Sequence, residues 1–302
     1  MRQVSTSCDI DVRFFRPPPE FDDHFSTFYR LTIHVPDGQR VTDYLLPEWS
    51  NVRFFAGDCP DARLASGSNL SGTTFVATGP SSMPTLFQLG TSRLWGIGLF
   101  PLGFAKLMHG PADEIANQVV NGADHPAFRA FRSLDTSLFD GDADDEKECA
   151  RLLDHMRPFV ARKVPDQNKI LAVHGALVDP LIGSVADFAE RSGLRQRTLE
   201  RVCRRYFGFS PRSLLRRQRF VRSLARFMLE PDVNWTDAMD GFYHDQAHFV
   251  RDFRAFMGMT PSEYAAMEHP VLQAFMRERA RIWGAAAQTL DVPKASDSSS
   301  GE

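Results

Sequence analysis

Hydrophobic residues in the first third of the chain come in short runs that favour β-strands. The runs are rich in β-branched and aromatic residues, and Gly, Pro, Asp and Ser separate them at intervals of about ten residues. They cover 25–35, 40–46, 51–56, 73–78, 85–89 and 93–100. This spacing predicts a small β barrel or sandwich. Gly96-Ile97-Gly98 lacks the third glycine of a dinucleotide-binding loop, so we interpret it as a bulge or a close approach of two backbones.

Helical periodicity replaces the strand pattern further along the chain. It predicts a helix opened by Pro111 over 112–120, a second over 125–134, and a third from the acidic stretch 140–148 to about Lys163. Val164-Pro165-Asp166 interrupts the pattern, so we divide the chain into a front domain, 1–164, and a helical domain, 165–285. The polar segment 286–302 is predicted to be a disordered tail. The fold class is therefore α+β with two domains, the second of them all-α.

The helical domain contains an internal duplication at a distance of 50 residues. Residue types match at Gln196 and Gln246, Arg201 and Arg251, Arg204 and Arg254, Gly208 and Gly258, and Pro211 and Pro261. Each copy (about 185–207 and 235–257) has a short amphipathic helix, a turn and a second helix that ends at a glycine. A hydroxyl residue and a proline then open the next helix. This order is that of a helix-turn-helix unit, whose second helix enters the major groove of DNA.

The second helices of both copies have an outer face rich in Gln and Arg. In the first copy the candidate DNA-binding residues are Gln196, Arg197, Glu200, Arg201, Arg204 and Arg205. In the second copy they are Gln246, Ala247, Val250, Arg251 and Arg254. Gln and Arg match the edges of adenine and guanine, whereas arginines further along such a helix more often contact phosphates. A long helix over 211–229, about 27 Å in length, would hold the two units about one DNA turn (~34 Å) apart.

Charge distribution supports a nucleic-acid partner. The net charge is −3, yet twelve arginines lie between Arg191 and Arg226 and Glu200 is the only acid there. The alternative, a solvated helix face, usually mixes Lys with Glu, so we favour an anionic polymer. Four widely spaced cysteines indicate free thiols in a reducing cytoplasm, and we find neither a secretory signal nor an apolar run long enough to span a membrane.

The stretch SVADFAERSGLRQRTLERVCRRYFGFSPRSLLRRQRF, followed by DQAHFVRDFRAFMGMTPSEY, resembles the DNA-binding domain of AraC/XylS-type bacterial transcription regulators over about 168–270. The resemblance implies two helix-turn-helix units on promoter DNA. It implies base-reading roles for Arg197, Glu200 and Arg201, and for Gln246, Ala247 and Arg251. The usual turn glycine of the second unit falls on Phe242, with Gly241 one place early. The front domain is similar to an uncharacterised domain in a subgroup of these regulators, and in the wider family a front β domain binds an effector or dimerises.

Three rival interpretations have a basis in the sequence. His244 and His248 flank Asp245 at the spacing of zinc hydrolases, but His244 is expected in the turn before the helix and no third ligand is evident. A small-molecule-modifying enzyme in the front domain, with the helical domain as its regulator, is the principal alternative function. A protein-binding module is disfavoured by the arginine-rich stretch.

We therefore predict a sequence-specific, cytoplasmic transcription regulator that is not an enzyme and needs no cofactor or metal. The hypothesised partners are double-stranded promoter DNA, a small-molecule effector in the front domain, RNA polymerase and a second copy of the chain, with no membrane contact.

Overall fold

The structure is a computed structural model that describes residues 8–230 and 233–294. Within these residues the front region contains ten β-strands: β1 (Asp9–Phe15), β2 (Phe25–His34), β3 (Val41–Leu45), β4 (Asn51–Gly57), β5 (Asp61–Leu64), β6 (Asn69–Leu70), β7 (Phe75–Thr78), β8 (Thr85–Leu89), β9 (Ser92–Leu99) and β10 (Val119–Asn121). The six strands predicted from the hydrophobic runs are all present.

The strands form two open antiparallel sheets that pack face to face. One sheet has the order β1-β2-β9-β4-β7-β10 and the other has the order β3-β8-β5-β6. The front region is therefore a sandwich, which is one of the two predicted forms, and its sheets do not close into a barrel. Strand β4 shows the alternation expected of a two-sided sheet. Val52 and Phe54 point to the helices, while Phe55 points to the second sheet.

Eleven α-helices lie in the described part of the chain. They are α1 (Pro101–Leu107), α2 (Arg132–Ser137), α3 (Asp145–Val160), α4 (Gln167–Val178), α5 (Val185–Arg191), α6 (Gln196–Val202), α7 (Pro211–Leu229), α8 (Trp235–Ala238), α9 (Gln246–Met257), α10 (Pro261–Ala265) and α11 (Pro270–Trp283). Helix α6 continues into one π-helical turn, Cys203–Phe207. The single long helix predicted over 211–229 is α7.

The helix predicted over 112–120 is wrong. A 3-10 turn occupies Ala112–Glu114, and β10 follows it. Val119 of β10 pairs with Thr78 of β7 at the edge of the six-stranded sheet. A short apolar run fits a strand as well as a helix, and here a neighbour about 40 residues away in sequence decides between them. Helix α2 and the 3-10 turn Pro126–Phe131 replace the second predicted helix, and α3 is the third.

Close neighbours lie over the glycine pair in β9, but they are side chains and not the second backbone of our interpretation. The register of the β2–β9 pair shifts between Phe25 and Thr27, opposite Leu99 and Gly98. A Cβ atom on Gly96 would lie 2.1 Å from the Tyr29 ring, and one on Gly98 would lie 2.2 Å from Oγ of Ser26. Both strand positions therefore have room for hydrogen only, because side chains of β2 cross directly over them.

Three hydrophobic cores cross the predicted boundary at residue 164, and one of them, between the two sheets, includes Val271 of α11. Trp49, Phe100 and Leu102 of the front region share a second core with helices α4–α7. Leu46 contributes to the third, which α7, α9 and α11 form. The front region and the helical region are thus packed together through α7 and its neighbours.

The predicted disordered tail is wrong for residues 286–294. Ala286, Ala287, Gln288 and Thr289 are buried, and Gln288–Leu290 form a 3-10 turn. Side chains of the front region hold this segment: Oγ of Ser26 donates to Oε1 of Gln288 at 2.5 Å. The polar composition of this segment predicts disorder, but polar contacts with the front region hold it in place. Residues 295–302 lie outside the described residues.

Candidate nucleic-acid interface

The first helix-turn-helix unit is built by local capping and an apolar inner stripe. Oγ of Ser184 accepts from the amide of Asp187, and the Asp187 carboxylate accepts from the amide of Ser184, which starts α5 with a capping box. Gly193 has φ +65° in the turn that leads to α6. Leu199 and Val202 of α6 are fully buried. Burial of this stripe fixes α6 with its opposite face in solvent.

The second unit repeats this arrangement with different caps. The Asn234 side chain accepts from two amides at the start of α8. The Asp245 carboxylate accepts from the amide of His248 and starts α9. Phe249 and Phe253 form the buried stripe of α9. Asp245 therefore serves as a helix cap.

The histidine pair does not form the zinc motif that its spacing suggested. His244 precedes α9, as expected, and its ring stacks on that of His248 with centroids 5.8 Å apart. Among residues 8–230 and 233–294, no group of three His, Cys, Asp or Glu side chains is placed to hold a metal ion. Helices long and apolar enough to cross a membrane are likewise not found in this part of the chain.

The eleven predicted DNA-binding residues lie on the outer surfaces of α6, its π-helical turn and α9. Glu200 and Val250 are half-buried, and the other nine are exposed: Gln196, Arg197, Arg201, Arg204, Arg205, Gln246, Ala247, Arg251 and Arg254. Each unit thus presents a Gln at the first position of its second helix and Arg residues one and two turns later. In the second unit the turn glycine lies one place early, with Phe242 at the usual position. Gly241 does not have a positive φ, so this turn does not use the left-handed conformation that Gly193 has in the first unit.

Matching arginines of the two units differ in their partners. Nη1 of Arg201 lies 3.1 Å from Oδ2 of Asp166, which Lys169 also contacts. These hydrogen bonds from Arg201 and Lys169 lower the pKa of Asp166 to about 2. No ion pair joins Arg251 to an acid in the described chain. Arg204 pairs with Glu200 at 2.8 Å, so the acid on the outer face of α6 neutralises a neighbouring arginine.

Several arginines of α7 are internal anchors, which corrects the interpretation of the basic stretch as unopposed charge. Arg217 is fully buried, lies over the Trp49 ring at 4.2 Å and donates to the carbonyl of Ser81 at 3.1 Å. Burial lowers the pKa of Arg217 to about 9. Arg222 pairs with Asp240 at 2.6 Å. Apart from Glu200, the acids that pair with arginines of this stretch lie outside it in sequence, so a local charge count misses them.

Asp252 is a structural residue that the sequence pattern did not indicate. It lies on the inner face of α9, where Val202 lies in the first unit, and its side chain is 3% exposed. Nη2 of Arg216 in α7 approaches its carboxylate at 2.6 Å, and the Tyr243 hydroxyl donates to it at 3.4 Å. The duplication itself contains a signal, because an acid replaces an apolar residue at one repeated inner position.

The front region packs on the far end of α6 and its π-helical turn. Trp49 and Phe207 have ring centroids 5.6 Å apart. Gly208, with φ +83°, lies against Pro80, whose Cβ and Cγ would be 3.1 Å from a Cβ at that position. The surface of the first unit is thus directly supported by the sandwich.

Residues 188–267 match a family model whose description is a helix-turn-helix domain. No curated protein matches the chain. The chain is similar to the structure of ToxT from Vibrio cholerae O395 bound to (E)-4-(8-methylnaphthalen-1-yl)but-3-enoic acid. That similarity has 10% identity and a TM-score of 0.43, over 85% of this chain and 98% of that chain. The chain is also similar to wild-type ToxT from Vibrio cholerae strain SCE256 with a bound unsaturated fatty acid. This similarity has 11% identity and a TM-score of 0.38, over 87% of this chain and 96% of that chain. The AraC-like transcriptional activator CuxR gives 14% identity and a TM-score of 0.26, over 72% and 87%.

Proposed function

We propose that this chain is a DNA-binding transcription regulator with a helix-turn-helix domain of the AraC type at residues 188–267. Its helices α6 and α9 enter successive major-groove segments of promoter DNA. The front domain sets the activity of this DNA-binding unit.

The observation that carries this proposal is the repetition of one exposed surface on two helices. Gln196 and Gln246 are the first residues of α6 and α9, and both are exposed. Arg201 and Arg251 follow at the same spacing and are also exposed. Solvation alone gives no reason for two helices to repeat the same bidentate hydrogen-bonding side chains, whereas recognition of base edges does.

Within this proposal the residues near the start of each helix read bases. We assign base contacts to Gln196, Arg197 and Glu200 and to Gln246, Ala247, Val250 and Arg251. Arg204, Arg205 and Arg254 lie further along and contact phosphates, which position the protein without sequence preference. Arg201 also contacts a base, after its ion pair with Asp166 has broken.

Control by the front domain is supported by its contacts with α7 and with the end of α6. Arg217 joins α7 to Ser81, and Trp49 packs on Phe207. A change in the sandwich can therefore alter the position of the first unit relative to the second. Contacts with RNA polymerase and with a second copy of the chain remain hypotheses.

The test uses the full chain, because removal of the front region would expose the shared cores. A binding site is first selected from random DNA, and Arg197→Ala and Arg251→Ala are then compared on the selected site and on random DNA. Each change should cost about 1–3 kcal/mol on the selected site and less on random DNA. Arg281→Ala serves as the control, because Arg281 is an exposed residue of α11 that pairs with Glu278.

Salt dependence separates DNA binding from a protein-binding function. Each phosphate contact adds about 0.9 to the slope of log affinity against log salt concentration. A slope near zero, or failure to select any DNA site, would reject the proposed function. Equal losses on selected and random DNA would reassign Arg197 or Arg251 to phosphate contact.

A further inference from the structure

An apolar cavity lies between the sandwich and the segment that follows the second helix-turn-helix unit. Its volume is about 100 Å³. Apolar side chains of both sheets, including Leu31, Phe55 and Phe87, form one wall. Val271 and Phe275 of α11 belong to the opposite wall. An engineered cavity of about 150 Å³ binds benzene, so this smaller cavity takes a single aromatic ring when its wall side chains shift outward slightly.

Two guanidinium groups in this wall have a buried hydrogen-bond donor without a partner among the described residues, Nε of Arg279 and Nη1 of Arg53. The Arg53 side chain is 7% exposed. Its Nε donates to the Tyr29 hydroxyl at 3.0 Å, and its Nη2 donates to the Glu48 carboxylate at 2.7 Å. Its Nη1 is buried and has no hydrogen-bond partner among the described residues. Because a buried donor without a partner is costly, Arg53 favours any occupant that supplies an acceptor oxygen.

The charges that line the cavity are already balanced. Arg53 pairs with Glu48, whose second oxygen accepts from the Gln288 amide at 3.1 Å. Arg279, the other guanidinium in the wall, pairs with Asp291. A charged occupant would therefore lose its hydration without gaining an uncompensated opposite charge. A neutral occupant avoids this cost.

We propose that this cavity binds a neutral, largely apolar compound about the size of one substituted aromatic ring, with one hydrogen-bond acceptor directed at Nη1 of Arg53. A carbonyl or ether oxygen meets this requirement. Binding of such a compound depends only on the cavity. An effect of the compound on transcription depends in addition on the proposed function.

The position of the cavity connects such a compound with the helical region. The amides of Val271 and Leu272 at the start of α11 donate to Oδ2 of Asp43 in β3, at 2.9 and 2.8 Å. Met276 of α11 also belongs to the core that contains α9. A bound compound thus contacts the sandwich and the helix that supports the second recognition helix, and it stabilises their association.

Three probes of similar shape test the class of ligand in the full chain. Acetophenone is neutral with an acceptor, ethylbenzene is neutral without one, and benzoate is charged. Calorimetry and ligand-observed NMR should show binding of acetophenone and ethylbenzene, with benzoate at least about tenfold weaker than acetophenone. Tighter binding of benzoate would overturn the neutral assignment, and failure of both neutral probes to bind would overturn the site.

A thermodynamic cycle isolates the hydrogen bond to Arg53. The double variant Glu48→Gln/Arg53→Met removes the donor without leaving a buried charge unpaired. The affinity ratio of acetophenone to ethylbenzene should fall by about threefold to tenfold in this variant. The cycle cancels the different transfer free energies of the two probes, and retained ethylbenzene binding shows that the cavity persists. An unchanged ratio would remove Arg53 from the site.

Matched substitutions locate the binding site. Ala62→Leu adds volume at a buried residue of the cavity wall, and it should weaken both neutral probes at least about tenfold. Ala56→Leu makes the same change at a half-buried residue of β4 outside the wall, and it should leave binding unchanged. Equal effects of the two substitutions on probe affinity would show that the probes bind outside this cavity. If the probes bind as expected but leave DNA affinity unchanged, the site stands and control by the front domain fails.

Discussion

Among the predicted base-reading arginines, Arg201 is the one whose side chain is already in an ion pair within the described residues. Its guanidinium contacts Asp166 at 3.1 Å, although half of the side chain remains exposed. Contact with DNA requires Arg201 to leave this partner, and an exposed ion pair of this kind contributes about 0.2–1 kcal/mol. We expect Asp166→Asn to raise DNA affinity, by up to about fivefold. Fluorescence anisotropy with a selected DNA site measures the change.

The control for this prediction must make the same change in net charge. Asp154→Asn does so in α3, where Asp154 pairs with Arg157, and we expect a smaller effect from it. Asp166 makes no capping hydrogen bond at the start of α4, so the substitution removes no cap and weakens only the contact with Lys169 there. Equal gains in both variants would show that Arg201 stays with Asp166 on DNA.

Asp252 stabilises the second unit through contacts that the first unit lacks. Asp252→Val copies the apolar residue at the matching position, Val202, and leaves Arg216 and Tyr243 without their acceptor. We expect the free energy of unfolding to fall by about 1.5–3 kcal/mol, because hydrogen bonds to a charged group are lost. Urea denaturation measures the change. Asp252→Asn keeps an acceptor and should cost less, and a more stable Val variant would show that the contacts are not stabilising.

The helical pattern predicted which side chains face solvent, but it did not predict their partners. Arg197 and Arg251 occupy the exposed positions that the period of the helix requires. Arg217 lies in the same basic stretch and is fully buried against Trp49, which is 168 residues away in sequence. Burial of a charged residue depends on such distant neighbours, and no local pattern encodes them.

At the scale of elements, the glycines that end the second helix of each helix-turn-helix unit have similar backbone conformations but different surroundings. Gly208 and Gly258 have φ +83° and +71°. A Cβ on Gly258 meets nothing within 4 Å, whereas one on Gly208 would press on Pro80. Gly258→Ala should cost about 1–2 kcal/mol through the left-handed backbone alone. Gly208→Ala should cost at least about 1 kcal/mol more, because it also displaces the front region.

Thermal and urea denaturation of these two variants provide the comparison. Each glycine serves as the control for the other, because the substitution and the backbone conformation match. Equal losses of stability would show that the contact between Gly208 and Pro80 is loose enough to accept a methyl group.

Prediction of elements succeeded where the local pattern was strong and failed for β1, β5, β6 and β10. The runs that became β2, β4 and β9 contain enough β-branched and aromatic residues to be identified alone. The short β10 was assigned to a helix, since its pairing with β7 is not a local property. The exit of α6 was predicted correctly, because Gly208 marks it, but its π-helical turn has no sequence signal that we can identify.

At the scale of the whole molecule, His174 connects the three parts of the chain. It lies in α4, fully buried, with its ring 4.9 Å from that of Phe100 and 6.0 Å from that of Trp49. Its ring is also hydrogen-bonded with the backbone of Asp291 in the C-terminal segment. The boundary predicted at residue 164 therefore separates sequence patterns and not packing units, because both sides share this core.

Burial of His174 makes the association of these parts sensitive to acid. It lowers the pKa of the imidazole to about 3. Between that value and the ordinary pKa of about 6.5, the unfolded chain binds a proton that the folded chain does not, so stability rises with pH. The contribution is complete above pH 6.5 and falls by about 1.4 kcal/mol per pH unit below it.

The variant His174→Leu isolates this effect, because it keeps an apolar side chain at the site and removes the titrating group. We expect the stability of the natural chain to fall relative to the variant by about 1.4 kcal/mol per unit between pH 6.5 and 5, and the difference to be constant above pH 7. Burial also lowers the pKa of His24 to about 4 and raises that of Asp291 to about 6. Both residues are present in both proteins, so their contributions to the pH dependence of stability cancel in the difference. Urea denaturation across this range measures the difference. Parallel curves would mean that the imidazole takes up its proton without disturbing the junction between the sandwich and the first helix-turn-helix unit.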